Sequence, residues 1–79
     1  MPKARLLGAL DIGTNSLILL VARCSSSGIE PVNEVYAICR LGEQVNRTGL
    51  LSEEAMTRTL AALGEMRRIA ERDGVEELL

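Results

Sequence analysis

A single carboxylate lies between two apolar runs, and this arrangement constrains the fold more than any other feature of the chain. Residues 6–10 carry no charge, Asp11 follows them, and residues 17–22 are again apolar throughout. Two apolar runs joined by a short polar turn predict neighbouring strands of one sheet. Asp11 is therefore expected at the end of the first strand, on a rigid platform.

The turn after Asp11 is rich in groups that can bind a cation or a phosphate. Gly13 leaves room for a phosphate to approach the backbone, and Thr14, Asn15 and Ser16 supply hydroxyl, amide and N–H donors. A carboxylate is a ligand that Mg²⁺ favours. Asp and Gly are also common in ordinary tight turns, so the four-residue pattern alone would be weak. The density of polar groups beside Asp11 favours a binding site.

The rest of the chain predicts an α/β unit. Expected elements are strands over residues 6–11, 16–24 and 31–40 in an antiparallel meander, one long helix over 53–73, and the start of a fourth strand over 75–79. Ser52 is the expected N-cap of the helix and Gly74 its C-terminal stop. The residues expected to face the sheet are Met56, Leu60, Leu63, Met66, Ile69 and Ala70.

Composition excludes several classes of function. The 79 residues contain no histidine, which removes imidazole catalysis and His-ligated zinc from this chain. A net charge of −2 argues against binding to nucleic acid. No apolar run approaches the length of a membrane span, and no signal peptide is expected. Cys24 and Cys39 are predicted to be too far apart for a disulfide, so free thiols and a cytoplasmic location are expected.

Three segments together resemble one known family. Residues 11–16 read Asp-Ile-Gly-Thr-Asn-Ser, residues 40–43 read Arg-Leu-Gly-Glu, and residues 48–55 read Thr-Gly-Leu-Leu-Ser-Glu-Glu-Ala. In this order and spacing they resemble the N-terminal part of the exopolyphosphatase/guanosine pentaphosphate phosphohydrolase (Ppx/GppA) family. That family belongs to the actin-like ATPase superfamily, which implies a ribonuclease H-like half-domain. Residues 1–79 would then be a single, incomplete N-terminal fragment of the catalytic domain.

The resemblance implies a hydrolase that removes terminal phosphate from inorganic polyphosphate or pppGpp with the help of Mg²⁺. By position, Asp11 would hold the metal, and Gly13, Thr14, Asn15 and Ser16 would bind phosphate oxygens. Arg40 is a further candidate for phosphate contact and Arg47 a weaker one, with loop salt bridges as the alternative for both. The general base is expected downstream of residue 79, and the full-length parent is expected to be a homodimer.

Two departures from the family pattern leave the substrate preference open. Ile18 stands where a basic residue is frequent, and Gln44 stands where glycine is frequent. Other functions remain as alternatives: a kinase of the same superfamily, a metal-dependent nuclease with a similar first turn, and a non-catalytic phosphate-binding fragment. The last would bind polyphosphate without hydrolysing it and would expose an apolar sheet face.

Overall fold

The protein is described by a computed structural model over residues 4–42 and 49–79. Three strands precede one helix and a short fourth strand, in the order β1 (Arg5–Ile12), β2 (Ser16–Ser25), β3 (Gly28–Ile38), α1 (Glu53–Arg72) and β4 (Glu77–Leu78). The strands form one sheet in the order β3-β2-β1-β4, with β4 parallel to β1 and the other pairs antiparallel. The predicted α/β unit, with its antiparallel meander, long helix and fourth strand, is confirmed.

The third strand begins earlier and ends earlier than predicted. It starts at Gly28, immediately after the Ser26–Ser27 turn, and it stops at Ile38, so Cys39 and Arg40 lie beyond it. Pro31 is accommodated because β3 is at the edge of the sheet and the register shifts beside it, between Val21 and Ala22 of β2. Edge positions and bulges are where a sheet tolerates proline.

Helix α1 begins and ends at the predicted signals. The Ser52 hydroxyl accepts a 3.0 Å hydrogen bond from the backbone N–H of Ala55, which satisfies a free donor of the first turn. At the other end Gly74 has a φ of 81°, a left-handed conformation that glycine adopts without strain. The helix is therefore fixed at both ends by local sequence.

The predicted sheet-facing stripe of α1 is wrong in its first half. Ala55 and Thr59 are buried, whereas Met56 and Leu60 are exposed. Each exposed side chain is one residue away, about 100° around the helix, from a small buried one. Met66 and Ala70 in the second half of the helix face the core as predicted.

The core lies between α1 and one face of the sheet. Leu17, Leu19 and Val21 of β2 are almost fully buried there and pack with Met66 of the helix. Because successive strand residues point to opposite faces, the intervening β2 residues line the other face, together with Tyr36 of β3. Tyr36 is 63% exposed, so this second face is not covered by any described part of the chain.

The two cysteines are free thiols, as predicted. Cys24 pairs across the sheet with Ile29, and neither Cys24 nor Cys39 forms a disulfide. No helix among the described residues combines the length and the apolar character that a membrane crossing requires.

Candidate phosphate-binding site

A three-residue loop joins β1 to β2 and places the predicted phosphate ligands at one end of the sheet. The N–H of Gly13 donates a 2.9 Å hydrogen bond to the carbonyl oxygen of Ser16, which closes the loop. A Cβ atom at Gly13 would lie only 3.3 Å from that oxygen. A larger residue at this position would have to displace that oxygen by a few tenths of an ångström, so the tightness of the loop favours glycine in addition to any room it leaves for a ligand.

The carbonyl groups of this loop are bound by the segment that follows β3. The carbonyl oxygen of Asn15 accepts hydrogen bonds from the N–H groups of both Cys39 and Arg40, each at 3.0 Å. The carbonyl oxygen of Thr14 accepts a 2.7 Å hydrogen bond from the N–H of Gly42. We refer to residues 39–42 as the clamp turn, because it fixes two successive loop peptides.

The hydrogen bonds from the clamp turn to the loop carbonyls determine which side of the loop can interact with a ligand. In a trans peptide the C=O and N–H groups point in opposite directions. Since the Thr14 carbonyl points at the clamp turn, the N–H of Asn15 points away from it. Within residues 4–42 and 49–79, the N–H groups of Thr14 and Asn15 donate no backbone hydrogen bond. Successive free N–H groups of this kind form a concavity that favours an anion.

The side chains of the loop are equally available. Thr14 and Asn15 are exposed and Ser16 is half-buried. No hydrogen bond from these three side chains to another described residue is present. The structure thus places Gly13, Thr14, Asn15 and Ser16 in one loop, in which two backbone N–H groups and three polar side chains have no partner among residues 4–42 and 49–79.

Asp11 lies at the base of the loop on the sheet face opposite α1. It pairs across the sheet with Ile18, which in turn pairs with Tyr36. Leu10, the residue before it, packs against the core, so the alternation of the strand turns Asp11 to the other side. The carboxylate is exposed, and no ion pair or hydrogen bond to a described residue engages it. An exposed carboxylate of this kind is accessible to solvent and to a hydrated cation.

A dedicated metal cage is absent from the described residues, since no group of three or more Asp, Glu, Cys or His side chains converges there. Mg²⁺ is commonly held by only one or two carboxylates, with waters and substrate phosphates completing its coordination. A single exposed carboxylate beside the candidate phosphate-binding loop fits this open coordination of Mg²⁺, and it does not fit a site in which protein groups supply all the ligands.

Arg40 is brought to the loop, although not from the end of a strand as predicted. It lies two residues past β3 in a left-handed conformation with a φ of 52°. Such a conformation is unusual for a residue with a side chain, and it persists only where the surroundings hold it. The N–H of Arg40 is held by Asn15, and its exposed guanidinium has no ion-pair partner among the described residues.

Sequence reasoning missed two contributors to the site. Gly42 approaches the loop so closely that a Cβ there would lie 3.1 Å from the Cβ of Thr14. Arg58, on α1, donates a 3.1 Å hydrogen bond from Nε to the carbonyl oxygen of Cys39. The Arg-Leu-Gly sequence at residues 40–42 was a signal that could have identified Gly42, whereas no local pattern could have indicated Arg58. Arg47 and Gln44, which the sequence also singled out, lie outside the described residues.

Sequence comparison identifies relatives among phosphatases, although no protein-family model matches the chain. A bifunctional 3-dehydroquinate synthase/phosphatase from Fusobacterium nucleatum is 40% identical over 74 residues, which covers 87% of this chain and 11% of that protein. Exopolyphosphatase 1 from Mycobacterium leprae is 31% identical over 74 residues, which covers 92% of this chain and 22% of that protein. The chain therefore spans less than a quarter of these curated relatives.

Solved structures of other proteins match the fold of this chain over almost its whole length. A Ppx/GppA family member from Aquifex aeolicus superposes with a TM-score of 0.91 at 26% identity, over 96% of this chain and 25% of that one. An exopolyphosphatase from Cytophaga hutchinsonii superposes with a TM-score of 0.87 at 26% identity, over 95% of this chain and 24% of that one. In sequence and in fold the chain is similar to Ppx/GppA phosphatases, and it matches about a quarter of the length of the solved members.

Proposed function

We propose that this chain provides the first phosphate- and metal-binding loop of a Mg²⁺-assisted hydrolase that removes terminal phosphate from inorganic polyphosphate or pppGpp. The observation that carries this proposal is the orientation of the loop peptides. The clamp turn binds the carbonyl of Thr14, so the N–H of Asn15, which belongs to the same peptide, faces away from the clamp turn, on the side where a phosphate would enter.

The proposed roles follow from the groups that are available. The N–H groups of Thr14 and Asn15 and the hydroxyls of Thr14 and Ser16 would bind the oxygens of a terminal phosphate. Asp11 would hold Mg²⁺, through water, and the ion would neutralise phosphate charge. Arg40 would add a positive charge at the rim of the loop. In phosphoryl transfer most of the rate enhancement comes from positioning and charge stabilisation, which is the task of such a loop.

Activation of the attacking water is assigned to a group outside this chain. The family resemblance implies a glutamate base downstream of residue 79, so residues 1–79 would form the N-terminal part of a longer catalytic domain. By the same resemblance the full-length protein would be a cytoplasmic homodimer. The 79-residue chain alone is therefore proposed to bind phosphate substrates and to turn them over very slowly.

The test is phosphate release from polyphosphate and from pppGpp in the presence of Mg²⁺, measured for the longest natural protein that contains these residues. We expect Mg²⁺-dependent release, and we expect Asp11→Asn to lower it by about 10–100-fold, as is usual for loss of a group that holds a catalytic metal through the ligands bound to it. Glu30→Gln, an exposed carboxylate elsewhere on the sheet, is the matched control. Full activity in Asp11→Asn would contradict the metal assignment.

Binding measurements separate catalysis from binding alone. Tripolyphosphate titrated into the 79-residue chain is expected to bind and to be released unhydrolysed. Hydrolysis at full rate by these 79 residues would show that the base lies within them. Binding without hydrolysis by the longer protein as well would favour the non-catalytic alternative, a phosphate-binding module. Phosphate transfer to an acceptor from ATP would favour the kinase.

A further inference from the structure

The peptide group that joins Cys39 to Arg40 is held at both of its ends. Its carbonyl oxygen accepts the 3.1 Å hydrogen bond from Nε of Arg58, and its N–H donates the 3.0 Å hydrogen bond to the carbonyl of Asn15. Because the two groups of a trans peptide point in opposite directions, one planar unit connects helix α1 to the phosphate-binding loop. The connection bridges residues that are 19 positions apart in sequence, from Cys39 to Arg58.

We propose that Arg58 is a positioning residue, which fixes the phosphate-binding loop through the Cys39–Arg40 peptide without touching the substrate. This inference rests on the function proposed above for the loop. Arg58 orients the peptide, the peptide and Gly42 orient the carbonyls of Asn15 and Thr14, and those carbonyls leave the loop N–H groups open to phosphate.

The helix supplies a rigid base for this arginine. Ala55 and Thr59, close to Arg58 in sequence, are buried, and the Ser52 cap fixes the start of the helix almost two turns before Arg58. A hydrogen bond donated by a guanidinium is charge-assisted and directional, and is therefore stronger than one between neutral groups. Cys39, whose carbonyl receives it, is itself buried in the core.

The backbone at Arg40 explains why such a contact is needed. A residue with a side chain adopts a φ of 52° at a cost in conformational energy, and it leaves that conformation unless the neighbouring groups are fixed. Loss of the hydrogen bond from Arg58 would free one end of the Cys39–Arg40 peptide. Rotation of that peptide would then release the N–H of Arg40 from Asn15 and allow the loop carbonyls to turn.

Amide hydrogen exchange on the full chain tests the proposal directly. Arg58→Met keeps the aliphatic stem and removes the donor, and we expect exchange at the N–H groups of Arg40 and Gly42 to accelerate about tenfold, the equivalent of one charge-assisted hydrogen bond. Arg68→Met is the control, because Arg68 lies on the exposed side of the same helix and pairs with Glu65. Exchange at buried Leu19 is expected to stay unchanged in both variants.

A purely structural role for Arg58 makes a different prediction. It would lower the melting temperature and leave the affinity for tripolyphosphate unchanged when measured well below that temperature. We expect instead that Arg58→Met weakens tripolyphosphate binding about tenfold under those conditions, while Arg68→Met binds as the unmodified protein does. If Arg58→Met does not fold, Arg58→Gln replaces it, with the same expected direction.

The two proposals fail in distinguishable ways. Unchanged exchange at Arg40 and Gly42 in a folded Arg58 variant would overturn the positioning role, even if the unmodified protein binds tripolyphosphate. A second outcome is that the Arg58 variant exchanges faster but the unmodified protein binds no tripolyphosphate. The faster exchange would support the contact between Arg58 and the clamp turn. The missing binding would overturn the proposed function of the loop.

Discussion

The N–H of Gly42 donates a 2.7 Å hydrogen bond to the carbonyl oxygen of Thr14, and the two residues approach so closely that a Cβ atom on Gly42 would lie 3.1 Å from the Cβ of Thr14. This contact joins the clamp turn to the candidate phosphate-binding loop. It makes the conformation of a loop near the start of the chain depend on a residue that follows the third strand.

Gly42→Ala is therefore expected to disturb the loop. The added methyl group would push against Thr14, and we expect the free energy of unfolding to fall by about 1 kcal/mol, together with weaker binding of tripolyphosphate. Denaturant titration and calorimetry would measure the two effects. In a Thr14→Gly background the stability cost of Gly42→Ala should largely disappear. An equal cost in both backgrounds would show that the contact with Thr14 is not its cause.

Gly8→Ala is expected to separate β4 from β1. A Cβ atom on Gly8 would lie 2.9 Å from Cδ1 of Leu78 and 3.3 Å from Cγ1 of Val75. Leu78 can move, whereas the branched side chain of Val75 has less freedom, so we expect a loss of about 1–3 kcal/mol in the free energy of unfolding. Adding Leu78→Ala to the Gly8→Ala variant should recover part of the lost free energy of unfolding. Stability equal to that of the unmodified protein would contradict the packing described for β4.

Gly64→Ala is expected to stabilise the protein. Gly64 lies inside α1, and a Cβ atom there would meet only the flexible end of Arg68, at 3.8 Å. No close packing requires glycine, so alanine should raise the free energy of unfolding by about 0.5–1 kcal/mol through its higher helix propensity. Thermal unfolding monitored by circular dichroism would measure it. A decrease in stability would indicate a contact at Gly64 that the structure does not show.

Tyr36 provides a spectroscopic test of the open sheet face. The Glu34 carboxylate raises the pKa of Tyr36 above 10.0, first through hydrogen bonding and then through its charge. Because the pKa is higher in the folded state than in the unfolded chain, the stabilisation is complete below pH 10 and is lost as the pH rises through the folded pKa. Tyr36 is the sole aromatic residue, so absorbance of tyrosinate reports it alone. Glu34→Gln should lower the midpoint, and an unchanged midpoint would contradict the assignment.

Local sequence was sufficient to predict the secondary-structure elements and to locate the loop that forms the candidate site. The ends of α1 at Ser52 and Gly74 were identified because a capping hydroxyl and a left-handed glycine act within a few residues. The strand that ends near Asp11 was identified because burial on a sheet imposes an apolar pattern. The start of β3 was missed because tolerance of Pro31 depends on its edge position, which is a property of the whole sheet.

The buried face of α1 was likewise predicted only in part. Periodicity placed Met66 and Ala70 correctly, since any helix with that pattern buries one stripe. It did not distinguish Met56 and Leu60 from the smaller Ala55 and Thr59, because the rotation of α1 about its axis is decided by tertiary packing. Hydrophobicity alone favours the larger side chains, whereas packing selected the smaller ones.

By itself the sequence determined that a carboxylate and a polar loop follow an apolar strand, because that information lies in adjacent residues. Only the tertiary structure decided which way the loop peptides face. That orientation depends on hydrogen bonds from Arg40 and Gly42 to the loop and from Arg58 to Cys39. These bonds join residues that are far apart in the chain, and they form only once the sheet and the helix have brought those residues together.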